Sequence, residues 1–199
     1  MRREERHDSY WRMARDRGYR SRAVFKLMEI DRGDRLLRPG QTVMDLGAAP
    51  GGWSQYLAER VGRQGRVLAI DRNPMQPIPG VEFALGELGD PGLCGRCREW
   101  LGGRPCDLVV SDLAPDLSGI AVTDQARMAT LLDAALEMAR QFLRPEGDLL
   151  IKLFQGEECA AFRERLAGCF RGVAARRPRA SRSSSKEFYL LARRLTGLR

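Results

Sequence analysis

Four polar side chains stand at or near the ends of apolar runs: Asp45 in "TVMDLG", Asp71 in "RVLAID", Asp112 in "CDLVVSDLAP" and Lys152 in "DLLIKLF". Three carboxylates and an amine gathered in one cleft can hold hydroxyl groups and move a proton, the chemistry of general acid–base catalysis. The lysine is the more telling residue. Among 34 lysines and arginines, only Lys26, Lys152 and Lys186 are lysines. An ammonium can give up its proton when its surroundings favour the neutral amine, whereas a guanidinium stays charged. A chain that writes arginine wherever charge suffices marks its lysines as sites where charge alone does not.

Between the first two runs lies the loop Gly47-Ala48-Ala49-Pro50-Gly51-Gly52, followed by the helical "GWSQYLAERVG". A glycine loop after one strand and an acid at the end of the next is how a doubly wound sheet holds an adenosine-type ligand. On that reading Gly51 and Gly52 admit the ligand to the backbone, and Asp71 accepts hydrogen bonds from two ribose hydroxyls. A dinucleotide requires G-x-G-x-x-G. This loop lacks that spacing and carries a proline, which has no N–H, in its middle. S-adenosylmethionine (SAM) has no pyrophosphate and suits the loop better. A tight turn with no ligand is the bland alternative.

These residues need a scaffold to bring them together. Apolar strands at "TVMDLG", "RVLAID", "VEFALG", "CDLVVSDLAP" and "DLLIKLF" alternate with helical patterns, and "KEFYLLARRL" adds a late strand. Such alternation predicts βαβ units, a mostly parallel sheet and an α/β fold with its ligands at the carboxyl ends of the strands. Ser21 is the expected N-cap of a helix over "SRAVFKLMEIDR", with Val24, Leu27, Met28 and Asp31 on one stripe. "DQARMATLLDAALEMARQFL" predicts a long amphipathic helix stopped by "RPEG", with Met128, Leu131, Leu132, Ala135, Leu136 and Met138 in the core. Residues 1–20 read as a flexible or weakly helical basic arm.

The 43% hydrophobic and 30% charged content is that of a soluble globular protein. No apolar run is long enough to span a membrane, and the amino terminus lacks the apolar core of a secretory signal. Five cysteines form an odd, sparse set that points to a reducing cytoplasm. Cys94, Cys97 and Cys106 resemble half a zinc site, but no second pair exists and His7 is the sole histidine, so no metal is expected. Residues 1–22 carry a net +4 and residues 171–199 a net +8, leaving the middle at −4. Two basic ends on an acidic body suit a nucleic-acid partner, with Tyr10, Trp11 and Tyr19 among arginines that can stack on bases.

The motifs "DLGAAPGGWSQY", "SDLAP…SG", "IKLFQG" and "SRSSSKEFYLLA", with "RGYRSRAVFKLMEID" ahead of them, resemble the FtsJ/RrmJ family of 2′-O-ribose RNA methyltransferases over roughly residues 8–195. The resemblance implies a Rossmann-like class I SAM-dependent methyltransferase with a doubly wound, mostly parallel seven-stranded sheet. It divides the chain into a basic arm over 1–20 and a methyltransferase domain over 21–199. It implies SAM-dependent methylation of a uridine ribose 2′-hydroxyl in large-subunit ribosomal RNA, on the large ribosomal subunit, by a cytoplasmic monomer with no obligate protein partner and no membrane association. Its catalytic set falls on Lys26, Asp112, Lys152 and Glu187, and its cofactor set on Gly51, Trp53, Asp71, Glu87 and Asp112. Two positions depart from the family pattern: Glu87 stands where an aspartate is usual, and Asp116 where an asparagine is usual. A ribosome-assembly or RNA-binding factor on an inactive methyltransferase fold is the competing expectation, which has no need of a complete lysine–acid tetrad. An NAD-dependent oxidoreductase is disfavoured by the loop spacing.

Overall fold

A computed structural model of the chain describes residues 3–116, 118–156, 158–182 and 185–196. Met1 and Arg2 of the basic arm, and Ser183 and Ser184 of the serine run, lie outside them. Two helices, α1 (Arg3–Asp16) and α2 (Val24–Asp34), precede the sheet. Then follow β1 (Thr42–Leu46), α3 (Gly52–Val61), β2 (Arg66–Asp71), β3 (Val81–Leu85), α4 (Pro91–Leu101) and β4 (Cys106–Ser111). The chain closes with α5 (Ala121–Phe142), β5 (Leu143–Phe154), α6 (Glu158–Cys169), β6 (Phe170–Arg176) and β7 (Glu187–Leu195).

The strand order is β3-β2-β1-β4-β5-β7-β6. The first five strands pair in parallel, and β7 lies antiparallel between β5 and β6. The sheet is therefore doubly wound, and its direction of growth reverses between β1 and β4, where a ligand crevice forms. Alternate residues of each strand serve opposite faces. Met44, Leu68, Val109 and Leu149 pack with Leu93 of α4, Leu132 of α5 and Phe162 of α6. Val43, Val67, Val110 and Leu150 pack with Leu27 of α2 and Trp53 and Leu57 of α3. Both faces are covered, which is why the central strands read as continuous apolar runs.

Several local expectations change. Helix α2 begins at Val24 rather than at Ser21, whose hydroxyl accepts from the Ala23 N–H at 3.1 Å inside the preceding turn. Its buried residues include Phe25, Lys26 and Ile30 as well as the expected stripe; α1 packs on it through Tyr10, 5.5 Å from the Phe25 ring, and Lys26 meets Glu187 of β7. The arm is thus a regular helix over Arg3–Asp16. "RPEG" ends α5 but belongs to β5, which starts directly at Leu143. β6, "FRGVAAR", is an edge strand with mostly exposed or half-buried positions, so its sequence lacks the apolar signature of the others. Cys94, Cys97 and Cys106 are buried packing residues between the sheet and α4. Among the described residues no helix is long and apolar enough to cross a membrane.

Candidate active site

The carboxyl ends of β1, β2 and β4 enclose a cavity of about 390 Å³, within the range of small-ligand sites. Asp71, Glu87 and Asp112 line it, together with Gly47 and Ala49 of the loop and Leu131 of α5. Leu131 thus faces the cavity, not the core. The Asp71 carboxylate accepts from the Ala49 N–H at 2.9 Å and the Asn73 N–H at 2.8 Å. It fixes the loop on one side and its own turn on the other, and each oxygen keeps a lone pair for a ligand hydroxyl.

The glycines of the loop make room for the chain itself. A Cβ on Gly52 would lie 3.1 Å from the Ser21 backbone nitrogen and 3.2 Å from its oxygen. Gly51 has a φ of 109°, which favours glycine, and a Cβ there would strike Ile78. The Arg20 side chain holds this corner by donating to Pro50 O, Gln76 O and Pro77 O. Gly51 and Trp53 do not line the cavity. Trp53 is buried, donates from Nε1 to Ala23 O at 2.8 Å and packs on Tyr189. Asp45 also turns away from the cleft: it is fully buried, accepts from the Ser54 hydroxyl at 2.6 Å and, among the described residues, has no partner for Oδ1. Burial pushes its carboxyl up to about 7, opposed by the Ser54 bond and reinforced by Asp112 and Asp71.

The four residues of the expected catalytic set form two adjoining ion pairs. Lys26 Nζ lies 2.6 Å from Glu187 Oε1, and Lys152 Nζ lies 3.1 Å from Asp112 Oδ1 and 2.5 Å from the Asp112 backbone oxygen. The antiparallel register explains the meeting. Lys152 on β5 stands opposite Tyr189 on β7, and Phe154 opposite Glu187, so Lys152, Glu187 and Tyr189 share one face. Helix α2 lays Lys26 on that face, and both lysines are nearly buried, at 8% and 6% exposed. Burial alone would raise the Glu187 carboxyl, but the hydrogen-bonded Lys26 ammonium and the nearby Lys152 hold it below the usual carboxylate range.

Tyr189 is the residue that motif reasoning missed. Its hydroxyl donates to Asp112 Oδ1 at 2.7 Å, so one carboxylate oxygen serves both Tyr189 and Lys152. Burial raises its phenol well above the ordinary value, and Asp112 adds to the shift, so it remains a donor. The available signal was its spacing of two residues from Glu187 on a strand.

Arg22 stands beside this pair of ion pairs. Burial and the neighbouring Arg182 press its guanidinium below its ordinary value, while Glu187 opposes them. Arg176 is held by both oxygens of Asp34 at 2.6 and 2.7 Å. Among the described residues, Arg177 donates only to the Ser185 carbonyl. Asp116 pairs with Arg72 at 2.5 Å, and both line the cavity. The negative charge at this departure from the family pattern is therefore matched by a cation two strands away. Tyr19 bonds Glu59 at 2.6 Å and Tyr10 packs on Phe25, which leaves Trp11 as the exposed aromatic of the three.

A model of the FtsJ-like methyltransferase family matches residues 19–195. A ribosomal RNA large subunit methyltransferase E of Azoarcus sp. is 50% identical over 188 residues, which cover 94% of this chain and 92% of the relative. The protein of the same name from Pseudomonas aeruginosa is 47% identical over 190 residues, 96% of this chain and 92% of its own. Among solved structures, a Plasmodium falciparum chain described as a ribosomal RNA methyltransferase superposes with a TM-score of 0.82 at 27% identity, covering 90% of this chain and all of the other.

Proposed function

The chain belongs to the FtsJ-like methyltransferase family, and on that premise we propose that it transfers the methyl group of SAM to the 2′-hydroxyl of a uridine in large-subunit ribosomal RNA. The observation that carries the reading is the lysine–acid tetrad set beside a cavity whose rim bears Asp71. A factor that only binds RNA has no use for two nearly buried lysines at the end of such a cavity.

The residues present fit SAM. Asp71 offers two oxygens to ribose hydroxyls, Leu131 gives an apolar wall to the cavity, and Glu87 stands on its rim. Gly51 turns the loop against Ile78 and Trp53 packs behind it on Ala23 and Tyr189, so their part is to shape the loop, which lines the cavity with Gly47 and Ala49. SAM, when bound, supplies an electrophilic methyl group. The chain's residues then have two tasks, to place the ribose oxygen in line and to take its proton. Lys152 is the proton acceptor. Asp112 and Tyr189 fix the direction of its amine. Lys26, anchored by Glu187, holds and polarises the incoming nucleotide. Arg22 and Arg182 at the mouth attract phosphate. The basic arm over 1–20 serves the RNA, and residues 21–199 form the catalytic unit.

The test is transfer from methyl-labelled SAM to large-subunit ribosomal RNA and to the ribosomal subunit, followed by nuclease digestion and mass spectrometry. The label is expected in 2′-O-methyluridine. Label in a base, or no transfer by folded protein that binds SAM, defeats the reading.

A further inference from the structure

At the end of the sheet opposite Lys152, a cleft of about 500 Å³ opens among Arg35, Arg38, Arg171, Arg193 and Arg194. Strand direction places it there. β5 reaches the catalytic end at Lys152, while Asp148, four residues earlier and about 13 Å away, faces the cleft. β7 runs the other way and brings Arg193 and Arg194 to the same end.

Two of the five guanidiniums are held by carboxylates: Arg171 by Glu146 at 2.8 Å and Arg193 by Asp148 at 2.7 Å. Arg193 also donates to Asp34 O at 2.6 Å. Among the described residues, the side chains of Arg35, Arg38 and Arg194 make no ion pair and no hydrogen bond. Three guanidiniums with idle donors thus converge on a cleft braced by two occupied ones.

The backbone gives a second, independent indication. Among the described residues only three that are not glycine have positive φ: Arg35 at 50°, Glu146 at 65° and Arg194 at 63°. All three line this cleft. At ten other positive-φ positions the chain uses glycine, which adopts that conformation without the penalty an L side chain meets. Local energy alone favours glycine here too. The chain instead keeps long charged side chains, and strained backbone that clusters in this way marks sites where the side chain is needed.

We propose that this cleft is a second anion site that grips phosphates of the RNA backbone, on a segment remote from the methylated nucleotide. Planar guanidiniums suit phosphate oxygens through paired N–H donors, and five arginines over two acids give the cleft a positive potential. The inference rests on ribosomal RNA being the substrate. An RNA held at both ends of the sheet is fixed in register as well as in affinity.

The experiment is equilibrium binding of a long large-subunit rRNA fragment across a salt series, with wild type and the triple variant Arg35→Gln, Arg38→Gln, Arg194→Gln. None of the three belongs to the catalytic or SAM site, so SAM affinity should be unchanged. Losing three phosphate contacts should lower the slope of log affinity against log salt by about 2, and weaken binding about tenfold or more at physiological salt. If wild type binds neither this RNA nor the ribosomal subunit, the substrate reading fails and this site fails with it. If wild type binds and the variant keeps both affinity and slope, the second site alone is overturned. Loss of association with a ribosomal particle while naked-RNA binding is unchanged also overturns it, since an acidic protein surface is then the partner. Should the variant not fold, phenylglyoxal modification of wild type decides. Protection of these three arginines by the RNA supports the site, and equal modification with and without RNA refutes it.

Discussion

Lys152 and Asp45 show opposite fates of a buried ionisable group. Lys152 has a carboxylate and a carbonyl within reach and stands beside an open cavity. The proposed role as proton acceptor separates it from arginine, which keeps charge and approximate reach but stays protonated. Lys152→Arg should therefore be nearly as inactive as Lys152→Ala in single-turnover methylation, with SAM binding intact by calorimetry. An arginine variant within about tenfold of wild type, only ~1.4 kcal/mol of barrier, defeats the assignment. Among the described residues Asp45 has a single hydrogen-bond partner, Ser54, and an oxygen with none. Its folded carboxyl, at about 7, lies above its unfolded value of 3.8. The folded state then binds a proton the unfolded state has lost, so this contribution to stability is present in acid and disappears as pH rises from about 4 to about 7. Asp45→Asn removes that titration. Relative to wild type it should gain stability across that window, by roughly 4 kcal/mol at most, in denaturant unfolding at successive pH values. A constant difference between the two proteins refutes it.

At the scale of elements, the catalytic end is held by contacts between segments far apart in sequence. The turn before α2 is tied to α3 by the Arg20 N–H on Gln55 and the Gln55 amide on Gly18 O. Asp31 of α2 accepts from the Tyr56 hydroxyl at 2.7 Å, Arg60 at 3.0 Å and the Leu37 N–H at 2.7 Å. At Gly52, α3 comes close to Ser21 of that turn. Gly52→Ala offers a gain in helix propensity of about 1 kcal/mol. Against it stands a Cβ 2.9 Å from Ser21 Cβ and 3.1 Å from its nitrogen. Overpacking against backbone costs about 1–3 kcal/mol and should win. The variant is expected to unfold at lower urea with an unchanged m-value, and a more stable variant shows that the turn gives way freely.

For the whole molecule, charge is what a large polyanion meets first. The catalytic mouth carries Arg22 with Arg182, and Arg177 and Arg179 lie on the same segment between β6 and β7, whereas Arg176 is locked on Asp34. Neutralising Arg177, Arg179 and Arg182 together should raise the apparent KM for RNA and reduce its salt slope by about 2. SAM affinity should not change, because none of them lines the cofactor cavity. Steady-state kinetics over a salt series reads both effects, and an unaltered slope removes this segment from the RNA interface.

Much of this was legible in the chain itself. Strand and helix periods and the acids at strand ends are local properties, and they led to the α/β fold and to Asp71, Asp112 and Lys152 near one cleft. The choice of lysine over arginine marked Lys26 and Lys152, and the grouping of these lysines with Asp112 and Glu187 came from the resemblance of their motifs to the family's. Three things were decided only by the tertiary structure. Register made Tyr189 the partner of Lys152, because a strand's neighbour is fixed by pairing and not by sequence distance. Close packing decided that Ile78 and Ser21 fill the space where Gly51 and Gly52 would carry a Cβ, since what lies beside a glycine comes from another segment. Burial separated Asp45 from Asp71. Both sit near strand ends and on the same face of the sheet, but Asp45 pairs with Ala69, two positions short of Asp71, so it lies under α3 on Ser54 while Asp71 stands on the rim of the cavity, and the spacing within each strand alone does not distinguish them.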